Sequence, residues 1–329
     1  MWEEKRIPSI IVMKEDEYHD LNYCSYSFLS KLDRSGYRAF SALPLKGKAL
    51  NLGSFIDCYV LTPEELDDRF ALTLQDYTAS KKTLADHVIE NYETVPSTDD
   101  LYSITRGLGL WTTRKETTVL SEFDEDFLTY LKKSIESKDK TFYTTDDLIL
   151  ANTCRDSLYN SHLTELIFRP DEFGTTVLFQ TKGLFEFDEL HIKFMVDILV
   201  IDPILKKIYV YDLKTGEKDL DSFESSFLEY RYDIQHYLYT KGVDAIKEEL
   251  GYKDYTVEPL KFIYLYKKQP EVPVIYEVPD IDIYNGYTTK YGYQMTGVKQ
   301  LIDDYKFYNG GYVVPRRVAE GKGIVTLNI

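Results

Sequence analysis

The chain has 329 residues, 43% of them hydrophobic, and a formal net charge of −16. This much apolar sequence can form one large domain or two modest ones, and no run of about 18 apolar residues predicts a transmembrane helix. The strong negative charge argues against broad, nonspecific binding of nucleic acids, although it leaves room for a local basic channel.

The chain has three cysteines, Cys24, Cys58 and Cys154. Their spacing is not that of metal ligands, and an odd number does not suit a disulfide framework. An iron–sulfur cluster would need about four thiolates, so we expect three small buried residues instead. The N-terminal segment carries acids on both sides of a short apolar patch, which is not the pattern of a signal peptide. We therefore expect a cytoplasmic protein.

Helical patterns dominate the first half of the chain. Ser25 or Ser27 can cap a helix in the segment FLSKLDRSGYRAF, and Thr62-Pro63-Glu64-Glu65 has the form of a capping box with proline in the first turn. We predict that residues 1–75 form an N-terminal helical part. Residues 76–150 are polar, show helical patterns on both sides of a loop, and are predicted to be a helical insertion.

In the second half the apolar period changes to two, which is typical of strands. The segments TTVLFQ, GLFEFD, HIKFMVDILVID and KKIYVYDLK predict consecutive antiparallel strands, with turns at Asp188-Glu189 and Asp202-Pro203. A long helix is expected over 221–250, followed by two strands and a helix over 282–311. The order predicts an α/β core over residues 151–329.

Two aspartates fall on predicted strands that are joined by the turn at Asp202-Pro203. Asp197 lies inside an apolar strand, and Asp212 lies near the end of the next one. A loop of several residues lets the two side chains approach each other across the strand pair. Alternation puts Lys214 on the same face as Asp212. An aspartate buried in an apolar strand is costly unless it is paired or bound to a metal.

Adjacent carboxylates repel each other, so we expect a cation between them, and Mg²⁺ or Mn²⁺ suits oxygen ligands. The backbone carbonyl of Leu213 is a further candidate ligand. Lys214 could hold the attacking water or stabilise the charge of a phosphorane-like transition state. This set predicts metal-dependent phosphodiester hydrolysis, although an Asp-x-Lys triplet alone is more commonly a solvated ion pair.

The helix after these strands adds a third element. In YRYDIQHYLYTKG, Gln235 and Tyr239 are four residues apart and share a face with Tyr232. Gln235 could donate to a phosphate or to a metal-bound water, and Tyr239 could contact a DNA backbone. The alternative is an ordinary amphipathic helix whose tyrosines pack on the sheet.

Together these motifs resemble the PD-(D/E)XK nuclease superfamily, and the Gln235-x-x-x-Tyr239 helix is similar to that of its RecB-like branch. The segments EYHDLNYCSYSFLSKLDRSGYRAF and ALNLGSFIDCYVLTPEELDDRF resemble the corresponding parts of RecE-type (exonuclease VIII-like) phage exonucleases. The resemblance covers roughly 15–75 and 175–245, less than half of the chain.

The resemblance implies roles for individual residues. Asp197 and Asp212 match the metal-binding acids of the family, and Lys214 matches its catalytic lysine. Gln235 and Tyr239 match the pair that supports the active site and binds DNA.

The chain also departs from the family pattern. Asp57 stands four residues after Gly53, in place of the histidine of a G-x-x-x-H motif. It could ligate Mg²⁺, or it could be a polar residue without a metal role. The family usually carries a further acid upstream of the strand aspartate, and both Gln180 and Glu186 are local candidates for that position.

The implied fold is a restriction-endonuclease-like core, with a central mixed sheet flanked by helices and an N-terminal helical region. The implied activity is Mg²⁺-dependent digestion of double-stranded DNA from its ends, 5′→3′, by a phage or mobile-element protein in the cytoplasm of a bacterial host. A homo-oligomeric ring and a single-strand annealing protein are the implied partners, with no membrane. A ring would keep an acidic protein on DNA.

Two other functions fit the same residues. A catalytically weak or inactive nuclease fold could bind DNA or a protein, which the net charge and Asp57 favour slightly. The survival of the complete Asp197, Asp212 and Lys214 set opposes it. The third possibility is a structure- or sequence-specific endonuclease of defence or packaging.

Overall fold

The structure is a computed structural model that describes residues 7–41, 48–73 and 77–320. It divides the chain into two units. The sheet unit comprises residues 1–47 and 153–329, and the helical unit comprises residues 48–152. The sequence had suggested divisions at 75 and 150, so the segment that carries Asp57 belongs to the helical unit rather than to an N-terminal part of the other.

The strands in chain order are β1 (Ser9–Ile11), β2 (Cys24–Ser25), β3 (Phe70–Leu72), β4 (Thr141–Tyr143), β5 (Thr176–Phe187), β6 (Leu190–Asp202), β7 (Lys207–Gly216), β8 (Thr256–Val257), β9 (Lys261–Tyr266), β10 (Val274–Tyr276), β11 (Gly286–Thr288) and β12 (Gln294–Thr296).

The helices in chain order are α1 (Glu15–Asp20), α2 (Tyr26–Ser35), α3 (Lys48–Leu61), α4 (Leu66–Arg69), α5 (Ala79–Asn91), α6 (Thr98–Gly107), α7 (Glu116–Leu120), α8 (Glu125–Glu136), α9 (Thr145–Asn160), α10 (Glu165–Phe168), α11 (Pro170–Phe173), α12 (Phe223–Glu229), α13 (Tyr232–Ile246), α14 (Val298–Asn309) and α15 (Arg316–Glu320). Over the described ranges, none of them combines the length and the apolar character needed to cross a bilayer.

Within the described residues, the sheet unit is built on a mixed sheet of eight strands in the order β1-β5-β6-β7-β9-β10, with β2 beside β6 and β8 beside β7. Strands β5, β6 and β7 are antiparallel neighbours, whereas β7 and β9 run parallel. Helices α2, α13 and α14 pack with this sheet. The chain is therefore an α/β protein with a central mixed sheet flanked by helices.

Both predicted turns between the long strands are present. Asp188 and Glu189 have positive φ angles, as the tight turn between β5 and β6 requires. Between β6 and β7, the Asp202 carboxylate accepts hydrogen bonds from the backbone N–H groups of Ile204 and Leu205, which closes an Asx turn. The prediction of two short strands before Asp188 was wrong, because β5 is one continuous strand through Gln180.

Two predicted helices are also corrected. The helix expected over 221–250 is broken between α12 and α13, where Arg231 has a φ of 58°. The segment 282–311 is helical only in its second half, since a β11–β12 hairpin precedes α14. The hairpin depends on glycine at its base, because a Cβ on Gly297 would lie 2.4 Å from the backbone of Asn285.

Close approach of α13 to the sheet depends on two glycines around one buried ring. Phe194 on β6 is fully buried. A Cβ on Gly183 would lie 2.5 Å from this ring, and a Cβ on Gly242 of α13 would lie 2.7 Å from it. The missing side chains create the space that the ring fills, and they let α13 lie directly on β5 and β6, the second of which carries Asp197.

The helical unit has a core of its own between α5, α6, α7 and α8, with Leu84, Leu101 and Phe127 fully buried. Side chains cap two of its helices, because Ser97 accepts from the N–H of Asp100 and Asp124 accepts from that of Phe127. Residues 79–136 thus form four helices around a shared core.

The two sequence-predicted caps have different outcomes. Ser25, one of the two candidates, caps α2 by accepting from the N–H of Phe28. The capping box predicted at Thr62 does not form. The Thr62 hydroxyl instead donates to the sulfur of Cys58, because a one-turn helix at Pro63–Glu65 replaces the start of a regular helix.

Candidate active site

The candidate site lies where β6 and β7 separate. Their ladder runs from Asp202–Lys207 to Ile198–Tyr211 and ends there, so Asp197 and Asp212 stand opposite each other one step beyond the last pair. From this point β7 continues beside β9. Beyond the last ladder pair, a side chain replaces the backbone acceptor: the Oδ2 atom of Asp197 accepts a 2.8 Å hydrogen bond from the backbone N–H of Leu213. The structure therefore brings the two predicted aspartates together.

Asp212 is almost completely buried, with 2% of its surface exposed, yet both of its carboxylate oxygens have contacts. Gln235 Nε2 donates to Oδ1 over 2.6 Å, and Lys214 Nζ lies 2.6 Å from Oδ2. An ionised carboxylate at this depth needs such partners to offset its lost hydration. Residues of β7 and α13 that the sequence motif had grouped are thus in direct contact.

The Lys214 side chain is held as an ammonium. Burial alone would lower its pKa, but the Asp212 carboxylate, with smaller contributions from Tyr232, Tyr26 and Asp197, outweighs burial, and the pKa is raised well above its ordinary value. The amine therefore stays protonated throughout the neutral range. A group in this state can stabilise negative charge that develops on a phosphate.

Of the two candidates for the upstream ligand, the structure places Gln180 at the site. Gln180 stands between the ladder pairs Phe179–Ile198 and Thr181–Val196, opposite Asp197, and its Nε2 donates to Asp197 Oδ1 over 3.1 Å. Its φ of 49° is unusual for a residue with a side chain.

Glu186, the other candidate, lies further along β5. It is paired with His191 in the strand ladder and is 60% exposed. The position nearest to Asp197 is thus filled by an amide rather than by an acid.

The fork, the point where β6 and β7 separate, carries oxygen atoms of the kind that divalent cations bind. It contains the Asp197 and Asp212 carboxylates and the Oε1 atoms of Gln180 and Gln235, which are buried and have no hydrogen-bond partner among the described residues. Mg²⁺ is commonly held by one or two carboxylates, with waters and substrate phosphates completing its shell. Over residues 7–41, 48–73 and 77–320, no three His, Cys, Asp or Glu side chains gather into a metal-binding group.

Two other predicted ligands have less definite positions. Asp57 lies on α3 of the helical unit, and its metal role stays a prediction. The Leu213 peptide is part of the fork through its N–H group, as described above, and ligation by its carbonyl also stays a prediction.

Tyr239 packs inside the sheet unit, one helical turn after Gln235. Its ring meets the Tyr26 ring edge to face at 6.1 Å and lies 6.1 Å from the ring of Phe194. Burial raises the pKa of Tyr239 well above its ordinary value. Its hydroxyl therefore stays protonated and neutral beside Asp212 and Lys214.

Tyr26 is a site neighbour that the sequence reasoning did not single out. It opens α2, and its hydroxyl donates to the carbonyl of Tyr230 over 2.9 Å. Burial raises its pKa, while Lys214 lowers it, which shows that the ring lies within electrostatic reach of the lysine. The signal available in the sequence was only its position after the capping Ser25.

No protein-family model matches the chain, and no curated protein matches it. Among solved structures, a crystal structure from Eubacterium rectale described as "Putative exonuclease" is similar over 97% of this chain and 96% of that chain. The sequence identity is 14% and the TM-score is 0.36. A likeness of this size identifies neither a fold family nor an activity.

Proposed function

We propose that this protein is a metal-dependent DNA exonuclease that hydrolyses phosphodiester bonds of double-stranded DNA from its ends, with 5′→3′ polarity. One observation carries the proposal. Asp197 and Asp212 meet at the fork of β6 and β7, and the Lys214 ammonium lies 2.6 Å from the second carboxylate. Two carboxylates beside a fixed cation form an arrangement suited to phosphoryl chemistry.

Each residue has a defined task in this proposal. Asp197 and Asp212 would hold Mg²⁺ or Mn²⁺, with the Leu213 carbonyl as an additional candidate ligand. When bound, the cation supplies Lewis-acid activation of the scissile phosphate and of a water molecule. Lys214 stabilises negative charge on the phosphate oxygens, and Gln235 orients the Asp212 carboxylate.

The wider setting follows the family resemblance. A PD-(D/E)XK nuclease of RecE type would process DNA ends for recombination in the cytoplasm of a bacterial host, together with a single-strand annealing protein. A homo-oligomeric ring would retain DNA despite the net charge of −16, because encirclement does not depend on attraction between opposite charges.

The test compares linear duplex DNA, labelled at either the 5′ or the 3′ end, with covalently closed circles, with and without Mg²⁺. We expect loss of linear duplex only, dependent on the metal. Asp212→Asn and Lys214→Ala should each lower the rate by about a hundredfold or more. Lys207→Ala is the matched control, since Lys207 lies on the same strand and is ion-paired with Glu258. The enzyme proposal fails if linear duplex, single strands and circles all remain intact.

A second candidate function is DNA or protein binding without cleavage. The specific observation in its favour is Gln180, an amide at the position where a further acid was expected, in direct contact with Asp197. Binding that is insensitive to Asp197→Asn, without cleavage, would support it. Cleavage of closed circles would instead indicate an endonuclease.

A further inference from the structure

Lys214 has a second contact besides Asp212. Its Nζ lies over the face of the Tyr232 ring, 4.7 Å from the centroid. The Tyr232 ring is itself stacked on Phe262 at 5.5 Å and 28°, and Phe262 is fully buried. The ring is therefore backed by the core, and it presents a fixed, electron-rich face to the ammonium.

The backbone before Tyr232 is fixed as well. Arg231 adopts the left-handed conformation, with a φ of 58°, and so separates helix α12 from helix α13. The Arg231 side chain is 3% exposed. Its guanidinium donates to both oxygens of Asp233 at 3.0 Å and to the backbone carbonyl of Thr296 at 2.6 Å, and it contacts Asp33. A buried, multiply bonded arginine of this kind can hold an uncommon backbone conformation.

We propose that Tyr232 is a positioning residue for Lys214, and that the Arg231 ion network sets the angle at which the Tyr232 ring meets the ammonium. The inference rests on the proposed function, because it assigns the ring a task in hydrolysis. A lysine has a long stem with many rotamers. The ring face and the Asp212 carboxylate together restrict the ammonium to one place, where charge on the phosphate develops.

Ordinary packing would account for the Tyr232 ring without any effect on Lys214. The two explanations differ in what they require of the side chain. Packing requires volume, whereas positioning requires an aromatic face. The phenolic hydroxyl is needed by neither.

The experiment compares Tyr232→Phe, which keeps the face, with Tyr232→Leu, which keeps apolar bulk without it. We expect kcat to stay within about twofold of wild type for phenylalanine and to fall about five- to thirtyfold for leucine, with KM unchanged in both. Tyr276→Leu is the control. Tyr276 belongs to the same aromatic cluster, stacked on Phe223, and we expect it to leave kcat unchanged.

A readout independent of cleavage uses protein labelled with ¹³C at the lysine Cε positions. Ring current from Tyr232 should shift the Lys214 Cε protons upfield, and the shift should persist in Tyr232→Phe and vanish in Tyr232→Leu. The inference is overturned by any one of three results: Tyr232→Leu has the kcat of wild type, Tyr232→Phe loses as much kcat as Tyr232→Leu, or the upfield shift of the Lys214 Cε protons persists in Tyr232→Leu. If wild type cleaves no DNA, the proposed function fails, while the NMR shift still decides whether the ring holds the ammonium.

Discussion

The Asp197 carboxylate accepts a 2.8 Å hydrogen bond from the backbone N–H of Leu213, at the point where β6 and β7 stop pairing. This contact gives Asp197 a structural role in addition to its proposed metal-binding role. Substitutions can separate the two roles, because the hydrogen bond to Leu213 needs only an acceptor oxygen, whereas metal binding needs the negative charge of the carboxylate.

We therefore predict that Asp197→Asn folds with a stability within about 1 kcal/mol of wild type and does not cleave DNA. Asp197→Ala should also fail to cleave, and it should lose about 1–3 kcal/mol because the Leu213 N–H is left without its partner. Urea denaturation and the end-labelled cleavage assay measure the two effects. Equal stability of the alanine and asparagine variants would show that the hydrogen bond is dispensable.

A second prediction concerns the Lys214–Asp212 ion pair. Lys214→Met leaves a buried carboxylate without its cation and should destabilise the protein by about 1–3 kcal/mol, less than for a fully buried pair because 22% of the lysine side chain is exposed. Asp212→Asn in the Lys214→Met background should recover most of this loss. A double-mutant cycle of unfolding free energies measures the coupling, and additive losses would contradict it.

A third prediction concerns the contact between α13 and the sheet. Gly242→Ala would place a methyl group 2.7 Å from the Phe194 ring, and we expect a loss of about 1–3 kcal/mol from overpacking. Phe194→Leu should cost less in the Gly242→Ala background than in wild type, because it vacates the space that the methyl group needs. Thermal unfolding of the four proteins checks this, and a neutral Gly242→Ala would show that the ring can move aside.

A fourth prediction follows from the buried tyrosines. Burial raises the pKa of Tyr211 and Tyr264 to about 12, whereas an unfolded tyrosine titrates near about 10. Above that pH the folded state binds more protons than the unfolded state, so stability falls as pH rises, by up to about 1.4 kcal/mol per pH unit for each such group. Below about pH 9 these groups contribute no pH dependence.

Tyrosinate absorbance and circular dichroism, followed together from pH 8 upward, test this. Exposed tyrosines should titrate gradually, and the buried ones should titrate together with the loss of secondary structure. Tyr211→Phe should flatten the alkaline decline. Complete titration of the tyrosines in the intact fold would be the opposite result.

The fork could be foreseen from local sequence because its determinants are local. Strict alternation, the Asp202-Pro203 turn and a four-residue connection fix the register of the hairpin, and the register places Asp197 opposite Asp212. Helical spacing placed Gln235 on one face with Tyr239, but its hydrogen bond to Asp212 was not predicted, since a phosphate or a metal-bound water was the expected partner. The choice between Gln180 and Glu186 needed the register of β5, which the unrecognised continuity of that strand had obscured.

The features that were missed depend on residues distant in sequence. Arg231 breaks a helix that local propensity would continue, and its partners Asp33 and Thr296 lie far along the chain. The β11–β12 hairpin was taken for a helix because α14 follows it, although GYTTKYGYQMT is rich in tyrosine, threonine and glycine, which favour strands and turns.

The order of strands in the sheet has a consequence for synthesis. Ser9 of β1 pairs with Leu184 of β5, and Cys24 of β2 pairs with Ile192 of β6, while the whole helical unit lies between them in the chain. As the polypeptide leaves the ribosome, β1 and β2 must wait with open edges until the helical unit and the long strands have been made. Strands β1 and β2 are therefore the parts of the sheet unit that stay unpaired for longest during synthesis, and they are exposed to chaperones and proteases over that time.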